Sequence, residues 1–279
     1  GTHKPEVSGS IPLPATNKFV NFKKMNYFNK KFIRLLESKN SLKIKFFIQK
    51  YFKEKDIGSL NFNFENKPTR IKIIQDIIKI KKYKKYLEIG CFSNELFNQI
   101  NCEYKIGVDP ISGGNVKATS DKFFSENKEK FDCVFIDGLH LYYQVKKDII
   151  NSVNALSSGG IILLHDCLPN NVFEQAVPRC QYKWNGDVWK AIVEIRTKKN
   201  LDTYTCYADH GIGVIFVRPN RNQLNIETKN FADMKFKEYF KNHKTYMNLI
   251  SYEELIEIVK SNYFFKSNLL KISFFFKDL

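Results

Sequence analysis

Four side chains able to move protons or hold cations fall at two points of the sequence, Asp137 with His140 and His165 with Asp166. Histidine changes charge near neutral pH, and carboxylates accept protons or coordinate hard cations, so this grouping suits general acid–base work or a metal centre. Either imidazole could instead be a satisfied core or capping residue. The neighbouring residues favour chemistry. Asp137-Gly138-Leu139-His140 follows the apolar run 133–136, and His165-Asp166 follows the apolar run 161–164. Neither run alternates polar with apolar, which suits interior strands of a parallel sheet. Between them Tyr143, Val145, Ile149, Ile150, Val153 and Leu156 recur at helical spacing, and Ser158-Gly159-Gly160 reads as the turn that ends the helix. Residues 131–169 therefore form one βαβ unit that brings two carboxylates and two imidazoles to the carboxyl ends of adjacent strands, where open parallel sheets bind ligands.

Other elements must position that edge. Tyr86-Leu87-Glu88-Ile89-Gly90 reads as a strand entering a Gly turn, with a helix over 94–100, and a second strand, 104–108, ends in Asp109-Pro110. A Gly turn with an acidic residue about 20 positions later is what a ribose-containing cofactor needs: close backbone approach, then a carboxylate for the hydroxyls. Two ordinary buried strands are the plainer account. Gly113-Gly114 reads as a loop, 115–119 as a short third strand, and Ser120 as the cap of a helix over 121–127; Ser120-Asp121 could also meet an adenine amino group. Downstream, 184–197 opens a helix with Asp187 near its positive end. Trp184 and Trp189 suit either a wall over a flat substrate such as a sugar or aromatic packing beneath a loop. Two strands, 201–207 and 213–218, joined by Ala208-Asp209-His210-Gly211-Ile212, form a hairpin and add an antiparallel last strand.

The expected fold is α/β, a Rossmann-like, seven-stranded, mostly parallel sheet with an antiparallel last strand and helical additions at both ends. The Pro-, Ser- and Thr-rich residues 1–24 read as a disordered or non-native leader. Residues 25–82 read as a helical cap with segments over 28–36, 42–52 and 70–82, residues 83–220 as the sheet domain, and 221–279 as a helical extension. In that extension 231–240 and 251–259 are helical, the second with a capping box from Ser251 and Glu254.

With 279 residues, 43% of them hydrophobic, the chain can bury a full core. Its formal charge of +16 is compatible with nucleic acid, a membrane surface or a phosphorylated substrate. However, the basic residues are mostly lysines scattered among Asn, Ile and Phe, with only six arginines, whereas phosphate readers usually cluster arginine. The six cysteines show no CxxC spacing and suit a reducing, cytoplasmic setting. No apolar run is long enough to span a bilayer. The tail 263–279 could lie on a membrane surface, or pack on its own domain or on a second subunit in a homodimer.

Taken in order, Leu87-Glu88-Ile89-Gly90-Cys91, Gly107-Val108-Asp109-Pro110, Thr119-Ser120-Asp121, Ile136-Asp137-Gly138-Leu139-His140, Gly159-Gly160 to His165-Asp166, and Trp184 to Lys190 resemble class I S-adenosylmethionine-dependent methyltransferases. The closer likeness is to the bacterial small-molecule and glycan O-methyltransferase branch with an Asp-Gly-x-His corner, over about residues 70–217. The resemblance implies that Glu88, Gly90, Asp109, Ser120, Asp121 and Asp137 hold S-adenosylmethionine, with Asp109 on the ribose and Ser120-Asp121 at the adenine. It implies transfer to a hydroxyl of a small molecule, most plausibly a sugar of a surface glycan, with His140 the first choice of base, His165 the second, and Asp166 beside them. Relatives acting on vicinal hydroxyls often bind a divalent cation such as Mg²⁺, for which Asp137 and Asp166 match. Relatives often carry Gly where this chain has Ser93 or Asn94, so the turn is wider or uses the Asn side chain.

Three rivals differ in residues. A nicotinamide-dependent sugar enzyme would show G-x-G-x-x-G spacing in the turn after Glu88, which is absent. A nucleic-acid methyltransferase would suit the charge, but base N-methylating relatives end the fourth strand in an acid or amide followed by Pro-Pro and an aromatic. A binding protein with a lapsed site remains compatible with the altered Ser93-Asn94 turn.

Overall fold

Long apolar runs dictate a sheet buried on both faces, and the computed structural model, which describes residues 41–261, contains one. The strands are β1 (Lys85–Ile89), β2 (Tyr104–Val108), β3 (Phe131–Ile136), β4 (Leu156–Leu164), β5 (Leu201–Cys206), β6 (Ile212–Val217) and β7 (Leu249–Ile250). They lie in the order β2-β1-β3-β4-β6-β5-β7. Only β6 runs against its neighbours, pairing antiparallel with β4 and β5, while β7 adds to β5 in parallel. This is the expected α/β architecture with a reversed strand closing the hairpin.

Alternation along the strands sends side chains into two cores. Leu87, Ile89, Val134, Ile136, Ile162 and Leu164 face α5 (Tyr142–Ala155) and α6 (Val188–Arg196). Tyr86, Cys133, Phe135, Leu163 and Val214 face α2 (Arg70–Lys81) and α8 (Tyr252–Lys260). Each fully buried aliphatic or aromatic side chain contributes roughly 1.5–3 kcal/mol, so both layers are strongly held. Shorter helices α3 (Glu95–Gln99) and α4 (Ser120–Glu126) follow β1 and β2, while α1 (Ser41–Phe52) precedes the sheet and α7 (Phe236–Met247) precedes β7.

Four details differ from the sequence expectations. The third strand over 115–119 shrinks to a single bridge, Val108 to Val116, because Asn115 and Val116 both donate to Gly107 O and Thr119 already caps a helix. That cap is Thr119, which accepts from Lys122 N; Ser120 is the first helical residue. Gly159 and Gly160 lie inside β4, where the β3 register shifts between Phe131 and Cys133, so α5 ends at Ala155 and passes straight into the strand. The helix over 231–240 is a short 3₁₀ turn, Phe231–Asp233, followed by α7, and Asn248 in the left-handed region (φ 47°) then releases the chain into β7.

The Ser251–Glu254 capping box is present in both directions, with Ser251 Oγ accepting from Glu254 N and Glu254 accepting from Ser251 N. The segments 1–24 and 28–36 and the tail 263–279 lie outside the described residues. No helix among the described residues is long and apolar enough to cross a membrane. Replacing Ser251 with Ala should cost about 1 kcal/mol by loss of the cap and lower the melting temperature by about 2–4 °C in a chain of this size. An unchanged melt would show that β7 and α8 are held without the cap.

Candidate active site

The carboxyl ends of β3 and β4 lie side by side, with Ile136 opposite Leu164, and His165 N donates to Ile136 O at 3.1 Å. The residues following each strand therefore meet. His140 Nε2 is 3.2 Å from Asp137 Oδ1, and its Nδ1 is 3.4 Å from Asp166 Oδ2, out of line for a hydrogen bond. That Nδ1 is buried and has no hydrogen-bond partner among the described residues.

Asp166 takes the left-handed conformation (φ 59°) needed to turn its carboxylate back over the edge. Asn185 Nδ2 donates to Asp166 Oδ1 at 2.9 Å and steadies it. Non-glycine residues at positive φ are strained and persist where surroundings over-determine them. Here Cys167 N and Leu168 N donate to Gly211 O and His210 O, fastening this turn to the β5–β6 connection.

His165 is only 6% exposed and is enclosed by charge. Its Nδ1 lies 3.4 Å from both Asp137 Oδ1 and Asp166 Oδ2, and its Nε2 lies 3.1 Å from Asp209 Oδ1 and 3.2 Å from Arg70 Nη1. Burial works to lower the ring's pKa, but the Asp137 and Asp166 charges outweigh it and hold His165 well above the usual histidine value. The reverse holds for its partners. Burial raises the Asp137 carboxyl, yet the His165 charge and both histidine hydrogen bonds bring it well below the carboxylate range. Asp209, raised by burial, is brought down to about 2 by His165 and by Arg70. His140 is lowered by burial and raised further by Asp137 and Asp166, ending above its ordinary value.

The second wall comes from residues 174–187. Trp184 stacks on His140 with ring centroids 5.2 Å apart and planes 27° from parallel, while its Nε1 donates to Ala176 O. Trp189, in contrast, is fully buried against Tyr239, so the paired-tryptophan wall reduces to Trp184. Asp187 leaves the α6 terminus uncapped and accepts from Tyr142 N at 2.7 Å, while its own N–H donates to His140 O at 3.3 Å.

On the other flank, Gly90 (φ 88°) brings the first turn against Asp137: a Cβ there would fall 2.3 Å from Asp137 O. Glu88 is buried, accepts from Tyr86 Oη at 2.7 Å, and is pushed up to about 7 by burial. Asp109 carries four backbone N–H groups, Cys91 and Phe92 on Oδ2 and Ile111 and Ser112 on Oδ1. These fill the four acceptor positions of a carboxylate. The turn uses the Asn94 side chain, whose Oδ1 accepts from Gly114 N. Ser120 and Asp121 are both reached by the Gln144 amide, and Asp121 also pairs with Lys147 at 2.6 Å.

The structure thus gathers Asp137, His140, His165 and Asp166 in one cluster, puts Glu88 and Gly90 beside it, and ties Asp109, Ser120 and Asp121 into their own loops. Sequence reading missed Arg70, Asp209 and Asn185. One signal was available for Asp209: a hairpin following a parallel strand must turn at that strand's carboxyl end, the same edge as His140. Donor atoms of Asp137, His140 and Asp166 lie within 4.8 Å of one another, as a cation site needs. The fit to Mg²⁺ is poor, because one donor is an imidazole and the His165 ring, its pKa held above the ordinary value, stands 3.4 Å from both carboxylates.

Residues 103–167 match a family model described as a methyltransferase domain. No curated protein matches the chain in sequence. Among solved structures, an O-methyltransferase from Bacillus cereus in complex with SAH is 13% identical, with 67% of this chain and 96% of that chain covered and a TM-score of 0.40. An SAH-bound methyltransferase from Podospora anserina gives 16%, 76%, 100% and 0.39, and an O-methyltransferase of tomaymycin synthesis from Streptomyces achromogenes, with SAM, gives 12%, 69%, 96% and 0.40. At these values the likenesses add nothing to the sheet order and residue geometry above.

Gly186 (φ 64°) packs so closely that a Cβ would lie 2.0 Å from His140 O. Gly186→Ala should therefore push the His140 corner outward and cost at least about 1–2 kcal/mol from the left-handed conformation alone. A melting temperature and a His140 ring resonance both unchanged would contradict this packing.

Proposed function

We propose that this chain is an S-adenosylmethionine-dependent O-methyltransferase acting on a hydroxyl of a small molecule, a sugar of a glycan or its precursor. The carrying observation is the contact of the Gly90 turn with the Asp137 main chain, which abuts the cofactor motif on the His140 cluster. The family match over 103–167 spans β2 to the end of this cluster and supports the same reading.

Glu88 and Gly90 would hold the methionine portion. Glu88 is buried and forms no ion pair among the described residues, Arg70 acting on it only from a distance, and an ammonium group docking there would supply a close cation. Asp109 first ties the two flanking loops together; a ribose hydroxyl gains this carboxylate only in exchange for a loop N–H. Ser120 and Asp121 stand at the start of α4, held by Gln144, as the adenine end requires. When bound, the cofactor supplies an electrophilic methyl group on a sulfonium, already a good leaving group.

The chain's own task is to align the acceptor hydroxyl and remove its proton. Asp137 accepts from Nε2 of His140 and orients the ring, so Nδ1, which has no hydrogen-bond partner among the described residues, is the atom that takes the proton as the hydroxyl enters beside Asp166, itself steadied by Asn185. His165 serves as a fixed cation that keeps Asp137 ionised. Trp184 forms the flat wall against which the base is held. No step passes through a metal.

Because His140 must be neutral to act and its pKa is raised, kcat/KM should climb with pH through a value above that of free histidine. His140→Ala should lower turnover by at least about 10²-fold, measured as labelled-methyl transfer into cell glycan extracts, with S-adenosylmethionine binding by calorimetry near normal. Binding itself should strengthen as pH rises through about 7, where Glu88 ionises. Absence of saturable cofactor binding would overturn the reading; unchanged turnover in His140→Ala would remove His140 from its role.

A further inference from the structure

The segment that carries Trp184 and Asn185 also walls a cavity of about 390 Å³, completed by the end of α1, the first turn of α6 and the residue preceding α7. Small-molecule sites commonly span about 300–1,000 Å³, so it is roomy enough for more than a water cluster. Lys53, Lys190 and Lys235 enter it from three separate elements.

Two acids share the lining, and both are already committed. Glu54 accepts from Phe236 N at 2.6 Å and from Gln175 Nε2 at 3.1 Å. Asp187 accepts from Tyr142 N and lies 3.5 Å from Lys190 Nζ. Lys53 and Lys235 form no ion pair among the described residues, and both are exposed at the mouth. Gln49 lines the cavity as well. It is only 6% exposed, and its carboxamide has no hydrogen-bond partner among the described residues. The carboxamide therefore faces the cavity with its donors and acceptor uncommitted within the protein.

Lysine ammonium groups bind phosphate as point charges, and an amide N–H donates to the remaining oxygens. Lys190 already meets Asp187 and donates to Ala232 O at 2.8 Å, but a neutral sugar would leave the Lys53 and Lys235 charges unanswered. We propose that the cavity is an anion subsite that takes the phosphate or diphosphate of the acceptor, making the methylated molecule a phosphorylated or nucleotide-linked sugar. This extends the methyl-transfer reading and rests on it for the acceptor's identity. Asp187 is the physical link, since its side chain lines the cavity while its N–H holds the main chain of His140 at 3.3 Å. Lys53 and Lys235 close on the anion from the mouth; Lys190 and Gln49 meet it from within.

Calorimetry on the full chain at low salt tests this with inorganic pyrophosphate, UDP-glucose and glucose as probes, and with SAH in the same samples. Pyrophosphate and UDP-glucose should bind saturably and glucose should not. The double variant K53Q/K235Q, altered only at exposed positions and checked by its melting temperature, should bind both at least tenfold more weakly with SAH affinity unchanged. Gln49→Leu should weaken pyrophosphate severalfold. No saturable pyrophosphate binding, or equal affinity in K53Q/K235Q, overturns the subsite. Pyrophosphate binding without UDP-glucose binding overturns its assignment to the acceptor. If SAH binds and pyrophosphate does not, the subsite fails while methyl transfer stands. If pyrophosphate binds and SAH does not, the anion site stands and methyl transfer fails.

Discussion

One buried imidazole holds this edge of the sheet together. His165 lies within 3.4 Å of carboxylate oxygens from Asp137, Asp166 and Asp209, with Arg70 against the same nitrogen as Asp209. Three carboxylates so placed repel one another. A ring kept protonated by those same groups opposes them and links four pieces of chain: the end of β3, the end of β4, the β5–β6 connection and the start of α2. Arg70 N donates to Asp209 at 2.5 Å, so the helix terminus enters through its backbone as well.

The consequence for chemistry is a division between the two histidines. His165, enclosed and saturated, is suited to hold charge; His140, stacked on Trp184 and less confined, is suited to exchange a proton. Both are raised by overlapping carboxylates, yet only His140 retains a ring nitrogen without a hydrogen-bond partner among the described residues. Similar residue types thus take different tasks through differences in enclosure, and the strained turns at Asp166, Asp209 and His210 accompany that enclosure.

Much of this was legible in the sequence because hydrophobic runs and turn residues act locally. The strand ends at Asp137 and His165, the Gly90 turn, the hairpin and the Ser251 cap all announce themselves within a few residues. What stayed hidden depends on long-range packing. Nothing near Arg70 marks it as a partner of a residue 95 positions away, and Asn185 gains meaning only when the 174–187 segment folds back to Asp166. The Gly159-Gly160 pair misleads because a register shift in β4 absorbs the glycines that a helix end would otherwise use. Trp189 misleads because proximity in sequence to Trp184 places it on the opposite, inward side of a helix start.

The central claim is that His165 is the permanent cation and His140 the titrating base. Histidine-selective ¹⁵N-labelled protein, followed by NMR across pH 5 to 9 with His140→Ala and His165→Gln used to assign the rings, tests it directly. The account predicts that the His165 ring stays doubly protonated well beyond the range of free histidine, while His140 titrates above the ordinary histidine value with cofactor absent. A His165 ring that loses its proton at or below the value of free histidine would contradict it.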